Sequence, residues 1–370
     1  MAAEVYFHPI PSGWVEPVVL AGLAALLTES ALLDPIEPGQ FVGIKLTFGE
    51  AGNTAHPPVA VIRQIVEQVR RREARPFLTE TCTLYNGRRQ NAVDHLEVAC
   101  EHGFTHETVG APIILSDGLR GRESIAVALG GERVREAHLA PVVRDLDFLI
   151  VVSHLTGHLV HGFGAAVKNL GMGLAARAGK LDQHSAVSPW VEVEKCIHCL
   201  GCLAICPAGA IADTGQSAAI SAETCIGCAE CLTLCPTGAI TIDWSRQSAH
   251  VQEATAEYAL AVHQTVRGRA AYLNLLNHIS KHCDCMGATP DVLAPDVGLV
   301  AGRDPVAVDQ ASYDLAARAA GRDVFREAWP EVDPLIQLRH AEKMGLGTRS
   351  YDLRETAGGR RPRTPSDSHR

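Results

Sequence analysis

The sequence has no basic stripe. It carries 33 Lys and Arg against 42 Asp and Glu, a formal net charge of −9. No run alternates cations with aromatics, so a nucleic-acid footprint is not expected. Its dense basic clusters, Arg70 to Arg72 and Arg360 to Arg363, read as solvated surface. A membrane span is missing as well. The apolar run 18–27 is Ala-rich, is interrupted by Gly22, and is far shorter than the roughly 20 residues a bilayer requires. It reads as a buried helix. The first residues show no positive region followed by an apolar core and a small-residue cleavage site, so no secretory signal is expected and the expected location is the cytoplasm.

What the chain has in quantity is cysteine, twelve in 370 residues. In a small secreted protein they would suggest disulfides, but in a chain of this size without a signal they point to metal ligation. With 46% hydrophobic and 20% charged residues, the remainder is composed like a folded protein with room for two cores.

Eight of the twelve read Cys196-x2-Cys199-x2-Cys202-x3-Cys206-Pro207 and Cys225-x2-Cys228-x2-Cys231-x3-Cys235-Pro236. This is the run of a two-cluster bacterial ferredoxin, twice over. Segments 196–211 and 225–240 match at ten of sixteen positions at an offset of 29, the mark of an internal duplication. Each half is expected to supply a short strand, a ligand loop and a short helix. Three thiolates two residues apart wrap one face of a cubane, and the fourth, before proline, points away to complete the other cluster. The expected ligand sets are therefore Cys196, Cys199, Cys202 and Cys235 for one 4Fe-4S cluster and Cys225, Cys228, Cys231 and Cys206 for the second. Gly201, Ala204, Gly227 and Ala229 let backbone N–H groups approach the sulfides, and Ile197, Ile205, Ile226, Leu234 and Ile240 are expected to exclude water. Two zinc sites are the alternative, but zinc prefers paired Cys-x2-Cys units with longer gaps between them.

From 38 to 153 the pattern alternates short β-branched runs with amphipathic stretches. Strands are expected at 41–48, 76–80, 112–115 and 147–152, the last buried on both faces, and helices at 57–73 and 91–102. Beyond the cysteine runs, 253–276 reads as helix, 297–300 as strand and 305–319 as a helix capped by Asp304. The expected fold is α/β with a mostly parallel sheet, interrupted by a small α+β ferredoxin-like insert. Its parts are 1–187, the insert 188–246, 247–357, and a disordered tail 358–370.

In such a sheet, ligands collect where the strands end. Strand 147–152 runs into SHLTGHLVHGFGAAVKNLGMG over 153–173, histidines and then a glycine-rich run with one lysine. Gly162, Gly164, Asn169, Gly171 and Gly173 are the candidate backbone cradle for an anion or cofactor, with Lys168 supplying charge. His154 and His158, four apart, suit one helix face as metal ligands or as an acid and base pair; two satisfied structural histidines are the plain alternative. Lys45 and Glu80 end other strands and complete the candidate catalytic set Lys45, Glu80, His154, His158 and Lys168. Cys82 reads as a small buried residue. His282, Cys283 and Cys285 offer a third metal site or a redox dithiol.

The segments 45–53 (KLTFGEAGN), 76–85, 88–95 (RRQNAVDH), 110–121 (GAPIILSDGLRG), 153–173, 179–185, 283–285 and 304–309, together with the cysteine runs, resemble the family called domain of unknown function 362, in its subgroup with an inserted ferredoxin module. The resemblance covers about 45–346 and implies no named reaction. Similar members tend to carry a lysine where this chain has Thr156, so either Lys168 compensates or the ligand differs. The expected function is a redox enzyme or maturation factor that relays electrons from two 4Fe-4S clusters to a pocket in the α/β part. Such a pocket would hold an unknown small molecule, with a flavin or an additional metal ion as a further cofactor, and the protein would take a redox partner. The alternatives are a non-catalytic electron carrier that docks a partner enzyme, and a metal or cofactor carrier using Cys283 and Cys285.

The ligand count predicts about eight irons and eight acid-labile sulfides per chain after anaerobic purification. Four irons or fewer after full reconstitution, or stoichiometric zinc, would remove the two-cluster expectation.

Overall fold

The computed structural model describes residues 2–10, 13–85, 87–184, 188–242, 248–287 and 291–357. The expected tail and the boundary at 246 fall outside the described residues.

Strand Phe148–His154 has all seven residues buried, so both its faces and both its edges must be covered. It pairs in parallel with Phe41–Lys45 on one side and Ala270–Leu276 on the other. Alternate side chains then enter opposite cores. Leu149 and Val151 pack with the helices Ala166–Gly171, Ser248–Thr265 and Pro305–Ala320, whereas Phe148, Ile150 and Val152 pack with Glu16–Ser30 and Val59–Arg70.

The sheet has eight strands in the order Tyr351–Glu355, Ala3–Pro9, Gly298–Gly302, Ala270–Leu276, Phe148–His154, Phe41–Lys45, Arg75–Glu80 and Ile113–Leu115. All pairs are parallel except the two made by Gly298–Gly302, which runs against both its neighbours. The mostly parallel α/β expectation therefore holds. The helix ends are set locally: the Asp304 side chain, the expected cap, accepts from the N–H groups of Val306 and Ala307, and that of Asn91 from Val93 and Asp94, filling donors that the first turn leaves open.

The expected helix over 253–276 is corrected. Helix Ser248–Thr265 ends at a turn in which Arg267 and Gly268 take positive φ, 55° and 68°, and the chain returns as the sheet strand Ala270–Leu276. Its apolar residues suit a buried helix or a buried strand equally, and a place between two strands decides the matter. The edge strand Tyr351–Glu355, its neighbour Ala3–Pro9 and the hairpin Ile125–Ala128 with Glu136–Leu139 carried too weak an alternation to be read.

Segment 188–242 contributes nothing to the large sheet. Trp190–Val191 pairs with Ile240–Thr241, and Ile211–Asp213 with Ala218–Ile220, each antiparallel. Short helices Gly201–Ile205 and Glu230–Leu234 lie 29 residues apart. The same offset recurs in the backbone, where His198 and Leu200 share positive φ with Gly227 and Ala229. Leu84 and Leu181 of the larger part join its apolar core. Buried Glu230 ties the two parts together, 3.2 Å from Arg177 Nη1 and 2.6 Å from Arg122 Nε.

One buried carboxylate positions the helix that follows the glycine-rich run. Asp309 accepts from the backbone N–H groups of Ala166 at 2.8 Å and Val167 at 2.9 Å and from the Asn274 amide at 2.8 Å. It thereby caps a helix whose own N-cap, Ala165, has no side chain to do so. Asp309→Ala should destabilise the protein by about 2–4 kcal/mol, because buried donors lose their acceptor, with Asp309→Asn closer to the parent. Thermal unfolding checks this, and an unchanged midpoint for the alanine variant would refute the capping role.

Candidate functional site

Because Phe41–Lys45, Arg75–Glu80 and Phe148–His154 run in parallel, their last residues open at one end of the sheet. There Lys45, Glu80, His158 and Lys168 line one cavity of about 370 Å³. Lys45 is 1% exposed. Its Nζ lies 2.8 Å from Glu80 Oε1 and donates to Asn169 Oδ1 at 2.7 Å and to the Leu46 carbonyl at 2.8 Å. The Asn169 amide donates in turn to the Val152 carbonyl and Ser153 Oγ. The other Glu80 oxygen faces Arg89 at 3.9 Å, and Arg89 also reaches Glu50 at 3.2 Å and the Tyr85 hydroxyl at 2.5 Å.

Lys180 completes the ring, donating to Thr81 Oγ1 at 2.5 Å and to the Ala175 carbonyl at 2.6 Å. Among the described lining residues, four cations, Lys45, Arg89, Lys168 and Lys180, meet one carboxylate, Glu80. Burial, and then the charge of Lys45, pushes the Lys168 ammonium down to about 8. Burial also brings Lys180 to about 8, against the opposing pull of Asp117 and Glu80. The cavity carries more positive charge than its own acid can offset, which suits an anionic ligand.

Three imidazoles line the same space. Burial, then Lys168, holds His158 and His161 well below the usual histidine range, and burial with Lys168 and Lys180 brings His184 to about 4. All three are neutral at pH 7. His154 and His158 do not share a helix: His154 ends its strand and His158 lies in the hairpin Thr156–His158 with Gly162–Gly164. Gly157 permits this, its N–H donating to the Ser280 carbonyl at 2.7 Å where a Cβ would stand 2.5 Å from the Lys281 carbonyl oxygen.

His154 sits beside a smaller cavity of about 80 Å³, shared with Thr156, Lys168, Asn169, Cys283, Asp284 and Cys285. Its Nδ1 is 2.9 Å from Asp284 Oδ1 and its Nε2 2.6 Å from the Asn277 carbonyl. Burial opposes the charged ring, but Asp284 and that carbonyl outweigh it and raise its pKa. With both nitrogens engaged, His154 holds a loop and offers no free ligand atom. Thr156 and Lys168 line the same small cavity, so Lys168 supplies a cation beside Thr156.

Of the glycine-rich run, Gly173 and Asn169 line the large cavity and Gly164 the small one. Gly162 and Gly171 serve packing: an added Cβ would stand 2.5 Å from Pro334 Cβ and 2.1 Å from the Thr255 carbonyl oxygen, respectively. The imidazole near Cys283 and Cys285 is that of His158, whose ligand atom and the two sulfurs all lie within 4.8 Å of one another. His282 instead packs edge-on against Trp329, ring centroids 5.2 Å apart. Cys82 is buried, with its N–H 3.0 Å from Asp117. Arg89, Lys180 and His184 went unread as site residues. Arg89 and Lys180 lie inside family-like segments, but only the fold turns them inward.

The cysteines of the two runs meet, Cys231, Cys202, Cys206 and Cys235 sharing one apolar core. Cys196, Cys199, Cys202 and Cys235 line one small cavity, although Cys235 belongs to the second run. Burial pushes the Cys231 thiol up to about 12, and Cys228, Cys225, Cys206 and Cys202 reinforce the rise. Thiols so crowded persist together as thiolates only against a cation, which is the chemistry of a metal-cluster donor set. Ile240 is buried, but Ile197, Ile226 and Leu234 are 63%, 66% and 43% exposed, so these three do not exclude water. Leu84 lines the cationic cavity and also packs in the apolar core that holds Cys231, Cys202 and Cys206.

The model of the family described as "Domain of unknown function (DUF362)" matches residues 42–314, and the chain belongs to that family. No curated protein matches. Among solved structures, a protein of Thermotoga maritima is similar at 10% identity and a TM-score of 0.43, covering 83% of this chain and 59% of its own. The lactate racemase apoprotein from Thermoanaerobacterium thermosaccharolyticum is similar at 11% identity and a TM-score of 0.38, covering 74% of this chain and 50% of its own. The chain thus spans between half and three-fifths of the length of these structures.

A lysine lowered to about 8 is charged below that pH and neutral above it. Sulfate, which does not titrate in this range, should therefore bind the cavity progressively more weakly as pH rises through about 8. Lys168→Arg should flatten the fall. Calorimetric titration across pH 6.5–9.5, roughly one and a half units to either side of that value, provides the check, and a flat profile in the parent protein would show that neither lysine meets the anion.

Proposed function

We propose that this DUF362-family protein is an iron-sulfur redox protein that passes electrons singly from two 4Fe-4S clusters to an anionic small molecule in the cationic cavity. The observation that carries this reading is the double position of Leu84, in the cavity wall and in the apolar core around the cysteines. Electrons arriving at the thiolates would have only a short, apolar stretch to cross.

In this reading 188–246 is a ferredoxin-like insert in an α/β domain formed by 1–187 and 247–357. Cys196, Cys199, Cys202 and Cys235 hold one cluster, and Cys225, Cys228, Cys231 and Cys206 the other. The clusters, when bound, supply one-electron transfer. Lys45, pinned by Glu80 and Asn169, presents a fixed charge to the ligand, while Lys168 and Lys180 gain a counter-charge when it binds. The neutral rings of His158, His161 and His184 line the cavity without adding charge, and Leu84 and Met172 add apolar lining. A protein electron donor would approach beside the exposed Ile197 and Ile226. Exposed thiolate ligands suit a reducing compartment such as the cytoplasm.

Two variants test the two halves of the reading. Lys168→Ala should weaken anion binding by about 10- to 100-fold, the worth of a hydrogen bond to a charged group, and leave iron content unchanged. Cys206→Ala should remove the electron paramagnetic resonance signal of the cluster held by Cys225, Cys228 and Cys231 and spare the other. Loss confined to the cluster of Cys196, Cys199 and Cys202 would disprove the exchange of ligands between the runs.

A further inference from the structure

We propose that Cys283 and Cys285 are a redox-active dithiol/disulfide pair at the edge of the cationic cavity, which Cys285 lines, with the His158 imidazole beside it, that gathers single electrons for a two-electron reduction. The two sulfurs are bonded to each other across one intervening residue. A disulfide stabilises chiefly by closing a long loop in the unfolded chain, and this one closes almost none. Stapling is therefore a poor account of it. Cys285 borders both the large and the small cavity, and so does Lys168, placing a cation where a thiolate would form.

The loop is held independently of the sulfur bond. Asp284, between the two cysteines, is bound through its side chain to His154 at 2.9 Å and accepts at its carbonyl from the Glu50 N–H at 2.8 Å. Asn53 donates to the Met286 carbonyl at 3.1 Å. When the sulfur bond opens, these ties keep both thiols apposed and ready to close again.

The same three side chains could hold a soft metal, but the hydrogen bonds of His158 argue against it. Its Nδ1 accepts from the backbone N–H groups of Val160 and His161, each at 3.1 Å. In the neutral ring this network assigns the proton to Nε2. No lone pair remains for a metal, and an N–H is left to stabilise a thiolate.

The disulfide takes up two electrons and two protons; its S–S bond breaks and two thiols form. The electrons come one at a time from a low-potential one-electron donor through the cysteine-held clusters, so this part rests on the function proposed above, and the protons come from water in the cavity. The two thiols then pass two electrons and two protons to a reducible bond of the anionic ligand, and the disulfide reforms.

The tryptic peptide 282–303 contains only these two cysteines, so its mass after alkylation reports on the pair alone. In the full holoprotein under anaerobic conditions the peptide should take no label before reduction and two labels after dithionite. The parent chain should consume about four electrons, one for each cluster and two for the disulfide, and the double variant Cys283→Ser/Cys285→Ser about two, at equal iron content. Equal electron uptake by both proteins, complete labelling that mild oxidation with diamide does not reverse, or a stoichiometric metal released by alkylating the pair would each overturn the proposal. Failure of the cluster reading would register separately, as low iron, while a dithiol reductant and the peptide mass would still report whether the pair cycles.

Discussion

Burial of the Lys45 ammonium is the constraint on which the site is built. An ammonium removed from water is strongly penalised unless its donors are satisfied, and Lys45 is 1% exposed. Glu80, Asn169 and the Leu46 carbonyl satisfy it. Those contacts join the ends of two adjacent parallel strands to the helix Ala166–Gly171. Asp309 holds that helix from behind, and Asn274 links Asp309 to the strand next to Phe148–His154. The cavity is thus framed by groups that cannot relax independently, which is the preorganisation a binding site needs.

Within that frame the charges are deliberately unequal. In the lining one carboxylate meets four cations, Glu50 behind it offsets Arg89, and the lysines' remaining positive charge is left for the ligand. The neighbouring histidines add none, because burial and the lysines keep them neutral. The cysteine-rich segment lies against this frame through Leu84 and Leu181, and buried Glu230, directly before Cys231, fastens it to Arg177. Electron entry and ligand binding are therefore close neighbours in the proposed function, although their residues are far apart in the chain.

Much of the fold was legible because its central strand is apolar almost throughout and one long helix is capped by a recognisable residue, Asp304. The stretch 253–276 misled, since a helix and a strand that are both fully buried have the same composition. The His154 and His158 spacing misled for a related reason: a four-residue separation implies a shared face only if the segment is helical, and Gly157, Gly162 and Gly164 make it a hairpin. Arg89 and Lys180 could not be assigned from spacing, because long side chains in loops declare no direction until neighbouring elements close around them.

The sequence by itself determined the chemistry available: eight cysteines in a duplicated run, a mostly parallel sheet, and lysine, glutamate and histidines at the ends of strands. These follow from local spacing and periodicity, which act over a few residues. Only the tertiary structure decided which distant groups meet. It set Cys235 beside Cys196, Cys199 and Cys202, gave Lys45 its partner in Glu80, and brought His158, rather than the adjacent His282, to Cys283 and Cys285. The physical reason is that such meetings depend on how the sheet orders its strands and on which charges must be paired when it buries them, and neither is written in any single stretch of chain.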